Sequence, residues 1–262
     1  MKNVALITGA SSGLGKEFAR LHASKGGDLV IVARSVAKLE ALAEELHDTY
    51  GTAVVVLPKD LSRPDAPQEI YDAVHDKGIT IDILINNAGL GGQGAFVERS
   101  MEDDMNLLAI DVIALTKLTK LFLRDFLARD AGKILNVSST AALMPGPLQA
   151  TYYAAKAYVT SLGDALWQEA QGTHVTVTTL MPGGMDTGFA KASRLEHTSL
   201  AKQMTFPPME IAKDGYAAMM RGDMEVISKF TTLQKIVFKL LPFLPKKMVM
   251  RQILKMQAAG SR

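Results

Sequence analysis

The chain has 262 residues, 48% of them hydrophobic, and no cysteine. That length and apolar content suffice for one sizeable core, and the missing cysteines exclude a disulfide framework and thiolate metal sites. The formal net charge of +2 is unevenly spread: 21 basic and 27 acidic residues lie up to Glu225, then eight basic residues and no acidic one.

The first ten residues, Met1 to Ala10, lack the apolar run of a signal peptide, and no stretch approaches the roughly 18 uncharged apolar residues of a spanning helix. A cytoplasmic globular protein is expected. Short β-branched runs predict strands at Val4–Thr8, Leu29–Ala33, Ala53–Leu57, Ile81–Ile85, Lys133–Val137, Val175–Leu180 and Glu225–Ser228. Amphipathic stretches near 14–25, 36–49, 66–77, 101–129, 151–170 and 209–220 predict the helices between them. Most of the strands are continuously apolar, as expected when helices cover both sheet faces. The series predicts an α/β fold with a doubly wound, Rossmann-like parallel sheet in a single domain over residues 1–228. A helical C-terminal extension over 229–262 completes the chain. His22, His47, His75, His174 and His197 are scattered with no pair at ligand spacing on one helix face, so no metal site is expected.

Gly9, Ser11, Ser12, Gly13, Leu14 and Gly15 lie in a loop that follows the first strand and opens the first helix. Glycines there let the backbone approach a phosphate, and the helix N-terminus offers free N–H groups and a positive dipole end. Gly9-Ala10-Ser11-Ser12-Gly13 also matches the nucleophile elbow of α/β-hydrolases, but only one strand precedes it. The second strand ends in Ala33-Arg34 where an NAD site usually places a carboxylate. Arg34 suits a 2′-phosphate instead, so NADP(H) is favoured over NAD(H); the alternative is an ordinary surface arginine. Asp60-Leu61 follows the third strand, where a carboxylate can meet the adenine amino group or simply cap a turn. After the fourth strand, Asn87, Ala88 and Gly89 combine small residues for close cofactor approach with an asparagine able to tie strand ends together.

Tyr152 and Lys156 stand four apart in a helical segment, which puts both on one face. An ammonium beside a phenol favours phenolate, lowering a pKa of about 10, so Tyr152 is the candidate proton donor and acceptor for a carbonyl or alcohol oxygen. Ser139 closes the fifth strand at the carboxyl edge, where doubly wound sheets bind ligands, and its hydroxyl suits the same oxygen.

Taken in order, the glycine loop, Asp60-Leu61, Asn86-Asn87-Ala88-Gly89, Ser138-Ser139, Tyr152 with Lys156, and Met181 to Thr187 resemble the short-chain dehydrogenase/reductase family. The resemblance runs from Val4 to about Thr187. It implies Ser139, Tyr152 and Lys156 as the catalytic set, with Lys156 also holding the nicotinamide ribose. It implies Pro182, Gly183 and Thr187 at the nicotinamide and its carboxamide, and the Ala-Arg-Ser end of the second strand resembles NADP(H)-preferring members. One departure stands out. Asp111 occupies the place of an asparagine that, in many relatives, helps hold a proton-relaying water. A carboxylate there stabilises the lysine ammonium and offsets part of its pull on Tyr152, which implies an active enzyme with a shifted pH profile. The alternative is a non-catalytic NADP-binding regulatory or scaffold protein on the same fold.

The resemblance also makes Gly184 to Pro208 the substrate lid. Its Met185, Phe189, Leu195, Leu200, Met204 and Phe206 suit an apolar carbonyl or alcohol compound, or simply pack the loop. The segment Met101–Arg129 either packs against its copy in a second subunit, as in many relatives, implying a homodimer or homotetramer, or simply covers the sheet. In the tail, Leu233, Ile236, Val237, Leu240 and Leu241 form one apolar stripe, and Val249, Ile253 and Met256 another, facing away from Lys247, Arg251 and Lys255. Such a segment docks on the body or a partner, or reaches a membrane surface as a peripheral contact. No nucleic-acid partner is expected, since no aromatic–basic interleaving accompanies the charge.

Overall fold

A computed structural model describes residues 1–185, 193, 206–231, 234, 240 and 244–258. In chain order the first half reads β1 (Ala5–Thr8), α1 (Gly13–Ser24), β2 (Leu29–Ala33), α2 (Val36–Tyr50), β3 (Val54–Pro58), α3 (Ala66–Asp76) and β4 (Ile83–Asn86). It continues with α4 (Met101–Leu108), a π-helical segment (Ala109–Ala114), α5 (Leu115–Ala128), β5 (Gly132–Val137), a 3-10 turn (Thr140–Leu143) and α6 (Ala150–Glu169). β6 (Val175–Pro182), α7 (Pro208–Arg221), β7 (Glu225–Ser228) and α8 (Lys246–Ala258) complete it.

All seven strands form one parallel sheet in the order β3-β2-β1-β4-β5-β6-β7. The chain winds outward from β1 to β3, then crosses back to place β4 on the other side of β1. That reversal opens a crevice at the carboxyl ends of β1 and β4, where such sheets bind ligands. The apolar runs explain the architecture. Ile7, Leu29, Ile31 and Leu135 point into one core layer with Phe18, Leu39 and Leu42, while Leu6, Val30, Leu84 and Ile134 point into the other with Ile70, Phe122 and Phe126. Strands alternate their side chains between faces, so only a run without polar gaps fills both layers.

The strand ends are fastened by side chains. Asn86 Nδ2 donates to Thr119 Oγ1 and Asn136 Oδ1, both at 2.9 Å, tying β4 to α5 and β5. The doubly wound sheet agrees with the sequence. The helix expected over 101–129 does not run straight: Ala109–Ala114 widens into a π turn. An extra residue in a turn rotates the rest of the helix about its axis, and here Asp111 is wholly buried.

At the other end, Val249, Ile253 and Met256 of α8 pack on Ala141, Met144, Tyr152 and Tyr153. The stripe from Leu233 to Leu241 lies outside the described residues, apart from exposed Leu240. Most of the Gly184–Pro208 segment does too; of it, Met185 and Phe206 form an isolated parallel bridge. Among the described residues no helix is long and apolar enough to cross a membrane.

Candidate active site

A cleft of about 650 Å³ follows the carboxyl edge of the sheet. Gly9, Ser11, Ser12, Gly13 and Leu14 line one end, with Arg34, Asp60 and Leu61. Asn87, Ala88 and Gly89 line its middle, and Ser139, Tyr152, Lys156, Pro182 and Gly183 the other end. Gly15 sits beneath the loop, its Cα against the Gly9 carbonyl. Thr187 lies outside the described residues. Sequence reasoning misses several wall residues: Lys38 and Lys59 near Arg34, and Gln149 and Tyr153 near Tyr152. The lysines carry no motif. Tyr153 has no lysine four residues on, so spacing gives it no signal.

The glycine loop is built for an anion. Gly9 has φ +68°, and a Cβ there would lie 2.8 Å from Asn87 Nδ2 and 2.9 Å from Ala88 Cα, so only bare backbone fits. Ser12 makes no side-chain cap at the start of α1, and the first turn holds no acidic residue. The free N–H groups and positive end of the helix dipole therefore face the cleft uncompensated. With Arg34 and Lys38 at the far end, the donor set fits the phosphates of a dinucleotide carrying a further 2′-phosphate. Asn87 holds this floor together. Its Nδ2 donates to the Thr8 carbonyl at 2.9 Å, while the Asn87 and Ala88 N–H groups donate to Thr8 Oγ1 at 3.0 Å.

Asp60 is part wall and part turn. Burial pushes its carboxyl up, but two hydrogen bonds from Ser62 and the Arg34 and Arg63 charges hold it below the usual carboxylate range.

At the other end α6 is pinned to β5 through Ser138, whose Oγ donates to the Lys156 carbonyl at 3.0 Å and contacts Thr160 Oγ1 at 2.7 Å. The two adjacent serines thus divide: Ser138 is buried structure, and Ser139 faces the cleft. Ser139 Oγ accepts from the Ala141 N–H at 3.1 Å and shares a hydrogen bond with Tyr152. Lys156 Nζ lies 5.7 Å from the Tyr152 ring centre and donates to the Val137 carbonyl at 3.2 Å.

Asp111 lies behind this group, not in the cleft wall. Its Oδ2 is 2.9 Å from Lys156 Nζ, and its Oδ1 accepts from the Leu90 N–H at 2.7 Å. Gly89 packs against the pair; a Cβ there would come within 3.0 Å of Asp111 Oδ2 and 3.3 Å of Lys156 Nζ. Burial pushes the Lys156 ammonium down, but the Asp111 carboxylate, with Tyr152 adding to it, more than offsets this and holds the lysine above its ordinary value. Burial likewise raises the Asp111 carboxyl, opposed by Lys156 and the Leu90 N–H.

The expected lowering of the Tyr152 phenol is corrected. Burial pushes it above its ordinary value; Lys156 and the Ser139 hydrogen bond oppose this without cancelling it, and Asp111 adds to it. Tyr153, buried against α8, is pushed up to about 12 by burial and stays protonated.

No histidine is present among the described residues lining the cleft, so nothing there would activate Ser11 as an elbow nucleophile. A dinucleotide-type loop, a crevice at the sheet's switch point and a Ser–Tyr–Lys group at its far end define an oxidoreductase-like site on a doubly wound sheet. The family model described as short chain dehydrogenase matches residues 3–198. The chain belongs to the short-chain dehydrogenase/reductase family.

It is 33% identical over 191 residues to 17-beta-hydroxysteroid dehydrogenase type 3 of Homo sapiens, a match covering 71% of this chain and 60% of that protein. The matched part is thus less than two thirds of that relative's length. Among solved structures, a 7beta-hydroxysteroid dehydrogenase superposes with a TM-score of 0.84 at 26% identity, covering 96% of both chains. A short-chain dehydrogenase from Sphingobium yanoikuyae in complex with NADPH gives 0.81 at 28%, covering 92% of this chain and 96% of that one.

Proposed function

We propose that the chain is an NADP(H)-dependent oxidoreductase interconverting a carbonyl and an alcohol on an apolar small molecule. The single observation carrying this is the convergence of Ser139, Tyr152 and Lys156 at one end of a cleft whose other end is an uncapped helix N-terminus with Arg34 beside it. The NADPH complex of the Sphingobium yanoikuyae relative supports the cofactor, and the hydroxysteroid names of two relatives support an apolar carbonyl or alcohol.

When bound, the reduced nicotinamide supplies the hydride. The chain's own residues do the rest. Gly9 to Gly15 take the pyrophosphate, Arg34 the 2′-phosphate, and Asp60 and Leu61 border the adenine. Asn87, Ala88, Gly89, Pro182 and Gly183 shape the floor toward the nicotinamide, Lys156 holds its ribose, and the family resemblance assigns Thr187 to the carboxamide. Ser139 positions the substrate oxygen, and Tyr152 donates its phenolic proton to that oxygen during reduction and takes it back during oxidation. Asp111 keeps Lys156 charged and so acts through it as a positioning residue.

Residues 1–228 form the cofactor-binding and catalytic unit in this reading, and 229–262 an extension. The outward face of α8 carries Lys246, Lys247, Arg251 and Lys255 with exposed Met248 and Leu254, which supports peripheral contact with an anionic membrane surface from a cytoplasmic chain. Exposed Met101, Met105 and Ile113 support pairing with a second copy.

The test is cofactor titration by nicotinamide fluorescence with NADPH and NADH, for wild type and Arg34→Ala. Tighter binding of NADPH that collapses in the variant is expected. Binding of neither nucleotide by folded protein overturns the reading.

A further inference from the structure

We propose that Phe230, the second residue of the C-terminal extension, is a positioning residue for the nicotinamide half of the cofactor and acts through Gly183. The role rests on the oxidoreductase reading and deepens it, because it gives the extension a part in the cofactor site.

Gly183 follows the last residue of β6 and lines the cleft at its catalytic end. Its N–H donates to the Ser228 carbonyl at 3.3 Å, just past the point where Pro182 of β6 pairs with Ser228 of β7. A Cβ on Gly183 would lie 2.8 Å from Phe230 Cε2 and 3.2 Å from its Cζ. The backbone does not itself call for glycine, since Gly183 is outside the left-handed region. What excludes a side chain there is the phenyl ring, which occupies its place. Phe230 is not one of the described residues lining the cleft, so the ring stands behind Gly183 and backs it.

Local structure aims the ring. β7 ends at Ser228, and the chain turns at Lys229, whose φ of +63° is uncommon for a residue with a side chain. Such a conformation persists only where its surroundings enforce it. Here α7 supplies them. Lys229 Nζ lies 3.1 Å from Glu210 Oε2 and 3.6 Å from Asp214 Oδ2, and Ser228 Oγ donates to Asp214 Oδ2 at 2.7 Å. Two carboxylates of α7 thus fix Lys229, Lys229 turns Phe230 onto the end of β6, and Phe230 sets the Gly183 backbone.

Removing the ring leaves a void behind one wall of the cleft, and packed structure relaxes into such voids only in part. The wall affected is the one that borders the nicotinamide. Arg34 and the Asp60-Leu61 turn, which take the 2′-phosphate and the adenine, line the opposite end. Phe230 therefore bears on one half of the cofactor and not on the other.

The experiment separates the halves by calorimetry on the full chain, with NADPH and with adenosine 2′,5′-bisphosphate, which carries the 2′-phosphate but no nicotinamide. In Phe230→Ala the Kd for NADPH should rise roughly tenfold, a change of about 1.4 kcal/mol, while the Kd for the bisphosphate stays put. Phe230→Leu refills most of the void and should show the same selective loss at roughly threefold, which keeps the test open if the alanine variant does not fold. Equal weakening of both ligands in folded variants makes Phe230 a general support and overturns the proposal, as does an unchanged Kd for NADPH.

A second measurement reads the contact itself. Gly183→Ala sets a methyl against the ring and should cause the same selective loss of NADPH. Combined with Phe230→Ala, the methyl enters the vacated space, so the double variant should bind NADPH more tightly than Gly183→Ala alone. Losses that simply add overturn the coupling of the two residues while leaving the oxidoreductase reading intact. Failure of the wild type to bind NADPH at all overturns that reading, and the positioning role with it.

Discussion

Asp111 Oδ2 and Lys156 Nζ face each other at 2.9 Å with 0% and 6% of their side chains exposed, a buried ion pair whose lysine borders the cleft and whose carboxylate lies behind it. The pair sets the charge state of the group that touches substrate. Asp111 keeps the lysine protonated, and the same carboxylate pushes the Tyr152 phenol upward.

Asp111→Asn should therefore move the pH–rate curve in a definite direction. Carbonyl reduction needs a protonated Tyr152 and a charged Lys156. Removing the carboxylate lowers the affinity of both for protons, so both required forms are lost earlier as pH rises. The alkaline limb of kcat/KM for reduction should shift to lower pH, with the Leu90 N–H still served by the asparagine oxygen. A superimposable curve would remove Asp111 from the mechanism.

The same pair makes a prediction about stability. Removing one partner of a buried ion pair leaves an uncompensated charge, typically costing about 3–5 kcal/mol. Lys156→Met should show a loss of that order in urea unfolding. Adding Asp111→Asn to it should recover much of the loss, because the stranded carboxylate is then gone. Additive losses in the double variant would mean that the two residues do not act as a pair.

Tyr152→Phe keeps the ring and deletes the hydroxyl. With the proton donor gone, kcat should fall by roughly 10²–10⁴-fold. NADPH binding should persist, since the glycine loop and Arg34 lie at the other end of the cleft. A variant retaining wild-type turnover would sink the assignment of Tyr152 as the acid.

Away from the cleft, His22 is fully buried, with Nδ1 2.9 Å from Tyr216 Oη and Nε2 2.7 Å from the Asn3 carbonyl. Burial holds its pKa below the ordinary 6.5, with the Asn3 and Asp28 contacts opposing. The unfolded chain thus binds the proton more readily than the folded one. The contribution is intact above pH 6.5 and is lost as pH falls toward the depressed folded value. Melting temperatures from pH 7.5 to 5.0 should fall less steeply for His22→Gln than for wild type, and parallel slopes would contradict this.

Much of the fold is legible in the sequence because its signals are local. Continuously apolar runs such as Leu29–Ala33 call for a two-sided parallel strand, and Gly9 to Gly15 mark the turn into α1. The π segment is not legible, since Ala109–Ala114 is as compatible with an ordinary α-helix. The four-residue spacing of Tyr152 and Lys156 announces their shared face, but not the desolvation that outweighs the lysine's pull. Desolvation depends on everything packed around the ring. Gln149 escapes a sequence reading for a similar reason: a glutamine before a helix carries no motif, and only the assembled cleft shows its amide nitrogen buried without a partner among the described residues.

Docking of the C-terminal helix is expected from its apolar stripe, but its landing site depends on tertiary contacts that no amphipathic pattern encodes. Ile253 of α8 is 3% exposed against Ala141 and Tyr153, and Gln257 Nε2 donates to Tyr153 Oη at 3.2 Å while its carbonyl accepts from Gln93 Nε2 at 2.9 Å. The helix is thereby fastened to the substrate end of the cleft and is far from Arg34. Ile253→Ala should weaken that docking by about 2–5 kcal/mol, the usual cost of such a truncation in a packed site. KM for an apolar ketone should rise while the Kd for NADPH stays put, and limited proteolysis should cut the tail sooner. If instead NADPH affinity fell while substrate KM rose, α8 would be supporting the whole fold, not one wall of the cleft.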